Sequence, residues 1–231
     1  MGGEKTLYLT KRLPRETGRD YALRTLKENI IRLELEPGCM VSENELAAEM
    51  GLSRTPVREA LIELSKVKIV EIYPQKGSVV SLIDYSLVEE SQFMRRVLEC
   101  AVVELDCAKA TPEDLSRLRE NVRLQAFYIS GSDPDSMLLE LDDQFHKLLF
   151  DIAQKPQVFT LMRNIAIHFD RVRNITLPDV MPSKVVQAHG NIVEAIANRD
   201  PVAARLEMEQ HLNQYRAVEK SVRERFPNYF K

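Results

Sequence analysis

At 231 residues, with 44% apolar and 29% charged side chains, the chain suits one or two folded domains and is too ordinary in composition for a collagenous, low-complexity or disordered protein. Its apolar runs, such as Ile165-Ala166-Ile167, are a handful of residues at most, far short of the roughly 20 that cross a bilayer, and Met1–Thr6 lacks the apolar block of a secretory signal, so a cytoplasmic protein with no membrane partner is expected. The net charge of −3 argues against a uniformly basic surface, yet Lys11, Arg12, Arg15, Arg19, Arg24, Lys27 and Arg32 crowd the first segment. Cys39, Cys100 and Cys107 form no CxxC pair, and small reduced core thiols are expected of them.

In chain order, Leu23, Leu26, Ile30 and Leu33 recur at helical spacing until Glu36-Pro37-Gly38 stops the helix. Ser42-Glu43-Asn44-Glu45 reads as a capping box opening a short helix that carries Leu46, Ala47 and Met50 and leaves through Gly51. Ser53 then caps a further helix with Pro56 in its first turn, where a missing amide hydrogen costs little. Helix, tight glycine turn and helix make a helix-turn-helix. The period next changes to 2: Val70, Ile72, Val79 and Ser81 flank the turn Tyr73–Ser78 and predict a β-hairpin wing.

Beyond Asp84 only helical periodicity appears. Thr111-Pro112, Asp133-Pro134 and Asp200-Pro201 each place a capping side chain before a first-turn proline, and helices are expected near 84–109, 112–130, 134–154, 157–175, 182–198 and 201–225. The fold class is therefore mainly α. An N-terminal winged helix-turn-helix over 1–82 precedes an all-α bundle over 83–231, with a linker near 81–84.

In the helix after Ser53, Val57, Ala60, Leu61 and Leu64 share one face, and Arg54, Thr55 and Arg58 point away from it. Taken singly, an exposed arginine is ordinary solvated surface. Inside a winged helix-turn-helix the same residues can reach a major groove, where an arginine fork matches guanine O6 and N7 and a threonine offers hydroxyl or methyl. Ser53 at the helix N-terminus suits a phosphate. Lys76 and Gly77 would bring a cation and bare backbone from the wing to the neighbouring groove, although Gly77 also reads as a plain turn glycine.

Four histidines occur, and three can gather round one carboxylate. Asp142 and His146 are four apart and stack on one helix face, while His189 and His211 lie on later helices. An Asp–His pair at that spacing is usually a surface hydrogen bond. Converged with two more imidazoles, it suits a divalent transition ion, Zn²⁺, Ni²⁺, Fe²⁺ or Mn²⁺, with positions left for water or a ligand. The same donor set leaves a metal-dependent hydrolase open as an alternative function, although no general base is evident beyond His168 or Asp143.

The run from Leu46 to Leu61, and Ser-Arg-Thr-Pro-Val-Arg-Glu-Ala-Leu within it, closely resembles the recognition segment of GntR-family bacterial transcription regulators. That resemblance implies a homodimer docking this helix on pseudo-palindromic operator DNA through Arg54, Thr55, Arg58 and Gly77, and it implies no enzyme. Asn44 departs from it, standing where many relatives carry a DNA-contacting arginine. Residues 84–225 resemble the effector domain of the FadR subfamily, called the FCD domain, through Asp142-Asp-Gln-Phe-His146, His189 and His211. The resemblance implies a metal on Asp142, His146, His189 and His211, and a small organic-acid effector clamped by Arg95. An ion pair with Glu99 is the competing role for Arg95. Phe93 and Lys155-Pro156 depart from the family pattern.

Overall fold

The computed structural model describes residues 7–129, 134–176, 182–214 and 219–231. The chain divides into two compact units, one made of Met1–Val88, Ile167–Asn174 and Arg223–Lys231, the other of Glu89–Ala166 and Ile175–Val222. No helix among the described residues is long and apolar enough to cross a membrane.

The first unit holds α1 (Gly18–Ile31), β1 (Met40–Val41), α2 (Glu43–Met50), α3 (Arg54–Lys66), β2 (Val70–Tyr73) and β3 (Gly77–Val80). The expected wing is present: β2 and β3 pair antiparallel from Val70 opposite Val80 to Tyr73 opposite Gly77. A third strand, β1, joins on the far side of β3 to give the order β1-β3-β2. Ser42 accepts the Glu45 amide at 3.5 Å, one arm of the expected capping box. Gly51 leaves α2 at φ 65°, and the Gly51 and Leu52 amides close on Ala48 and Ala47 carbonyls, as a left-handed exit requires.

Two local expectations are corrected. The buried face of α1 is Tyr21, Ala22, Thr25, Leu26, Asn29 and Ile30, with Leu23 packed partly buried against the same core, so of the four spaced residues Leu33 alone falls outside the helix. Asn29 can be buried because its side chain accepts from Tyr8 N and donates to the Tyr8 and Thr25 carbonyls, and Leu33 has left the helix at φ 64°. Ser53 occupies the N-cap position of α3 but makes no side-chain cap bond. Around this frame Leu26, Ile30, Val57, Leu61, Leu64 and Ile69 form one core; each such side chain contributes about 1.5–3 kcal/mol by leaving water.

The wing's exit is held rather than loose. Arg171, fully buried, donates from Nη2 to the Ser81 carbonyl at 2.7 Å. The fourth histidine, His168, is buried with Nε2 2.8 Å from the Val67 carbonyl. Ile83 N donates to Tyr229 O at 2.8 Å and Lys231 N to Ile83 O at 3.2 Å.

The remaining helices are α4 (Tyr85–Lys109), α5 (Pro112–Ile129), α6 (Pro134–Ile152), α7 (Pro156–Thr176), α8 (Pro182–Ala197), α9 (Pro201–Asn213) and α10 (Glu219–Arg225). Expected starts hold at Thr111, whose hydroxyl accepts the Asp114 amide, and at Asp200, which accepts from Val202 and Ala203 amides. Asp133 lies outside the described residues, as do 215–218 within the helix expected over 201–225. Phe145, Leu149, Phe150, Met162, Ile192 and Met208 form the core of the second unit, and its lining is where the histidines meet.

Candidate DNA-reading face and metal centre

On α3, Val57, Ala60, Leu61 and Leu64 are buried, whereas Ser53, Arg54, Thr55 and Arg58 are exposed. The 3.6-residue period thus turns the two arginines, one helical turn apart, away from the core. Arg54 Nε lies 2.5 Å from Glu43 Oε2 on α2. Arg58 pairs with no carboxylate among the described residues. Both arginines line one open groove with Asn44, Lys76 and Gly77, so recognition helix and wing face a common space. Lys76 is exposed, and its amide closes the turn on Tyr73 O at 3.1 Å. Gly77 has φ +103°, a conformation that side chains other than glycine's rarely adopt, which explains the glycine at this turn without any ligand.

In the second unit, α6 presents Asp142 and His146 from adjacent turns, α8 presents His189 and α9 presents His211. All four are buried, with one ligand atom from each lying within 4.8 Å of the others. His211 Nε2 is 3.2 Å from His146 Nε2 and 3.3 Å from His189 Nε2. Asp142 Oδ1 is 3.5 Å from His189 Nε2, and Oδ2 is 3.8 Å from His146 Nε2. Metal–nitrogen bonds of about 2.1 Å place tetrahedral ligand atoms about 3.4 Å apart. The donor set therefore has the spacing of a coordination shell.

The outer nitrogens say which inner atoms carry lone pairs. His189 Nδ1 is 2.8 Å from Gln125 Oε1 on α5, an amide oxygen that only accepts, so Nδ1 carries the proton and Nε2 is a lone pair aimed inward. His146 Nδ1 is 2.5 Å from Glu99 Oε2 on α4, and the same carboxylate accepts from Arg95 Nε at 2.7 Å. Unprotonated Nε2 atoms in van der Waals contact repel one another unless a cation lies between them. Carboxylate- or amide-backed imidazoles facing one point are the arrangement that metal-binding histidines adopt. Burial, reinforced by His189, His146 and Arg95, holds the His211 pKa well below the ordinary histidine value, so it is a neutral ligand-ready base. Burial alone would raise the Glu99 carboxyl, but the Arg95 charge and the His146 ring nitrogen beside it outweigh burial and hold the group well below the usual carboxylate range.

The four candidate ligands are thus brought together, and Arg95 stands at the edge of the same cluster, ion-paired to Glu99 and close enough for its charge to depress His211. The sequence reading did not assign Gln125, or the stacking of Phe145 on His189 at 4.0 Å between centroids. It treated Glu99 only as a partner for Arg95. The four-residue step from Arg95 to Glu99 was the available signal for the latter, and Gln125, 64 residues from His189, carries none.

Two family descriptions match the chain: "Bacterial regulatory proteins, gntR family" over residues 20–80 and "FCD domain" over residues 90–214. The HTH-type transcriptional repressor RspR of Escherichia coli (strain K12) is 32% identical over 208 residues, which cover 90% of this chain and 91% of that protein. An HTH-type transcriptional regulator in an unstable DNA locus of Streptomyces ambofaciens is 36% identical over 200 residues, covering 86% and 83%. Among solved structures, E. coli McbR/YncC superposes with a TM-score of 0.76 at 20% identity, covering 91% of this chain and 99% of that one, a likeness of fold. A hydrolase finds no support in these relatives, which are regulators. The chain belongs to the GntR family of bacterial regulatory proteins and is a DNA-binding transcription regulator with an FCD effector-binding domain.

Proposed function

We propose that the protein is a cytoplasmic, homodimeric operator-binding regulator of FadR-subfamily type, whose affinity for DNA is set by a small organic acid bound beside a metal. Residues 1–82 supply the reading surface: Arg54, Arg58 and Thr55 to base edges, Ser53 to a phosphate with its hydroxyl uncommitted to a cap, and Lys76 and Gly77 from the wing to the adjacent groove. Residues 83–231 supply control. Asp142, His146, His189 and His211 hold a divalent transition metal, Zn, Ni, Fe or Mn, which when bound supplies a Lewis-acidic position for a carboxylate. Arg95, with Nε on Glu99, adds guanidinium charge on the same side for the effector's carboxylate.

The observation that carries the control reading is the inward convergence of three imidazole Nε2 atoms and one carboxylate, backed by Glu99 and Gln125. Homodimerisation is supported by an apolar outer stripe on α4, where Phe93, Val97 and Leu105 are 59%, 51% and 39% exposed at four- and eight-residue steps. Effector and DNA are linked only as far as the effector prefers one arrangement of the reading domains, typically about 1–3 kcal/mol. Metal analysis after reconstitution, combined with a thermal-shift screen of metabolite carboxylates, tests this. Wild type should take up a transition ion and be stabilised by an acid, by about 2.7 kcal/mol at 100 times its Kd, and His189→Ala should do neither. No metal before or after reconstitution removes the centre, whatever the chain does with DNA.

A further inference from the structure

We propose that the strap Leu7–Glu16, which precedes α1, is a second DNA contact that binds backbone phosphates beside the segment read by α3. The inference rests on the reading of α3 as a duplex-binding helix and adds a site outside the recognition motif and the wing.

The strap is a built element. Leu7 is buried in the core and its amide donates to Glu49 Oε1. Tyr8 exchanges hydrogen bonds with Asn29 in both directions, at 2.7 and 2.9 Å, and its ring lies 4.1 Å under the Arg32 guanidinium. Arg24 then stitches the strap to α1: Nε and Nη2 grip the two Glu16 carboxylate oxygens at 2.8 and 2.9 Å, and Nη1 reaches the Thr10 hydroxyl at 2.5 Å. Glu16 is the sole acid of the segment. With that acid neutralised by Arg24, the strap displays Lys11, Arg12 and Arg15, all exposed and none ion-paired among the described residues.

Its course puts these cations where a duplex bound to α3 would pass. Gly18, the first residue of α1, abuts the helix-turn-helix turn so closely that a Cβ there would stand 3.6 Å from Leu52 and from Pro56, the residues on either side of Ser53-Arg54-Thr55. Arg15 lies three residues upstream, within about 10 Å of chain. It is held at φ 65°, in a turn closed by Glu16 N on Leu13 O, a conformation that costs energy and that a merely solubilising arginine does not need. Three clustered cations with no carboxylate partner among the described residues, Arg12 donating from Nε to the Glu16 carbonyl at 2.8 Å, on a braced segment at the flank of a reading helix, match a strand of evenly spaced phosphates and carry no base preference.

The test is the salt dependence of DNA binding by the full chain. Wild type is compared with a triple variant, Lys11→Gln with Arg12→Gln and Arg15→Gln, and with the charge-keeping triple Lys11→Arg, Arg12→Lys and Arg15→Lys, on a selected operator and on random duplex. The neutral triple should flatten the log Kd against log salt slope by about 0.9 per lost phosphate contact, up to about 2.7 per chain. It should weaken both duplexes by the same factor and melt like wild type, and the charge-keeping triple should restore the slope. Equal slopes for wild type and the neutral triple overturn the proposal, as does a loss confined to the operator. If wild type itself does not distinguish operator from random duplex, the base-reading role of α3 fails separately, and the slopes on random duplex still decide the strap.

Discussion

Glu99 Oε2 lies 2.5 Å from His146 Nδ1, so a residue on α4 governs which nitrogen of an α6 histidine is free to bind a metal. Glu99→Gln should lower metal affinity about 10–100-fold, the usual cost of losing such an outer partner, as read by chelator competition. The same change removes the carboxylate charge that Arg95 Nε meets at 2.7 Å, so a fall in stability is expected alongside. Affinity is therefore measured at low temperature on protein shown to be folded. An affinity equal to wild type would place Glu99 outside the centre.

Asp106 gives a pH test away from the histidines. Both its carboxylate oxygens are buried without a hydrogen-bond partner among the described residues. Burial first, and Asp114 second, push its pKa up to about 8 against the opposing pull of Lys109. The folded state therefore holds a proton that the unfolded chain releases near pH 4. Stability from this group is fully present below about pH 4 and declines as pH rises towards 8, by up to about 1.4 kcal/mol per unit. Asp106→Asn removes that decline. Denaturation curves of the two proteins should diverge with rising pH, the variant becoming the more stable, and then run parallel above about pH 8. Curves that stay parallel from pH 5 to 8 contradict the assignment.

How much of this was legible in the sequence follows from how local each signal is. Ser42, Gly51 and Pro56 mark helix ends through their own backbone chemistry, so the helix-turn-helix could be read residue by residue, and the four-residue step from Asp142 to His146 put two ligands on one face. Strand β1 could not be read, because Met40 and Val41 become a strand only by pairing with Val79 and Ser78. The spacing of Leu23, Leu26 and Ile30 found the core side of α1 but not Asn29 on it, since hydrophobicity does not register an asparagine satisfied at depth by a strap 21 residues away. Arg171 hid for a similar reason: no pattern marks a guanidinium for full burial against the Ser81 carbonyl.

Gly77→Ala separates the backbone role of the wing glycine from any contact it makes. At φ +103° an added Cβ is strained although space exists, 3.6 Å from the nearest atom, Val41 O. The variant should lose more than about 1 kcal/mol in chemical denaturation before DNA is added. Unchanged stability contradicts the conformational account of this residue.

Arg58→Ala should weaken binding to the cognate site by about 1–3 kcal/mol and relax the preference for one base pair, while leaving affinity for random duplex nearly unchanged. Competition titrations against single-base operator variants read both effects. A uniform loss over all sequences would make Arg58 a phosphate contact instead.

The central claim is that an outward face of α3, carrying Arg54 and Arg58, reads base sequence for a symmetric pair of chains. Selection of bound duplexes from a random pool at physiological salt tests it most directly. The account predicts enrichment of one pseudo-palindromic site whose half-sites lie about 10 base pairs, or a multiple of that, apart, and for Arg58→Ala a weaker enrichment with one base pair of each half-site left degenerate. A wild-type pool that stays random after repeated rounds would contradict it.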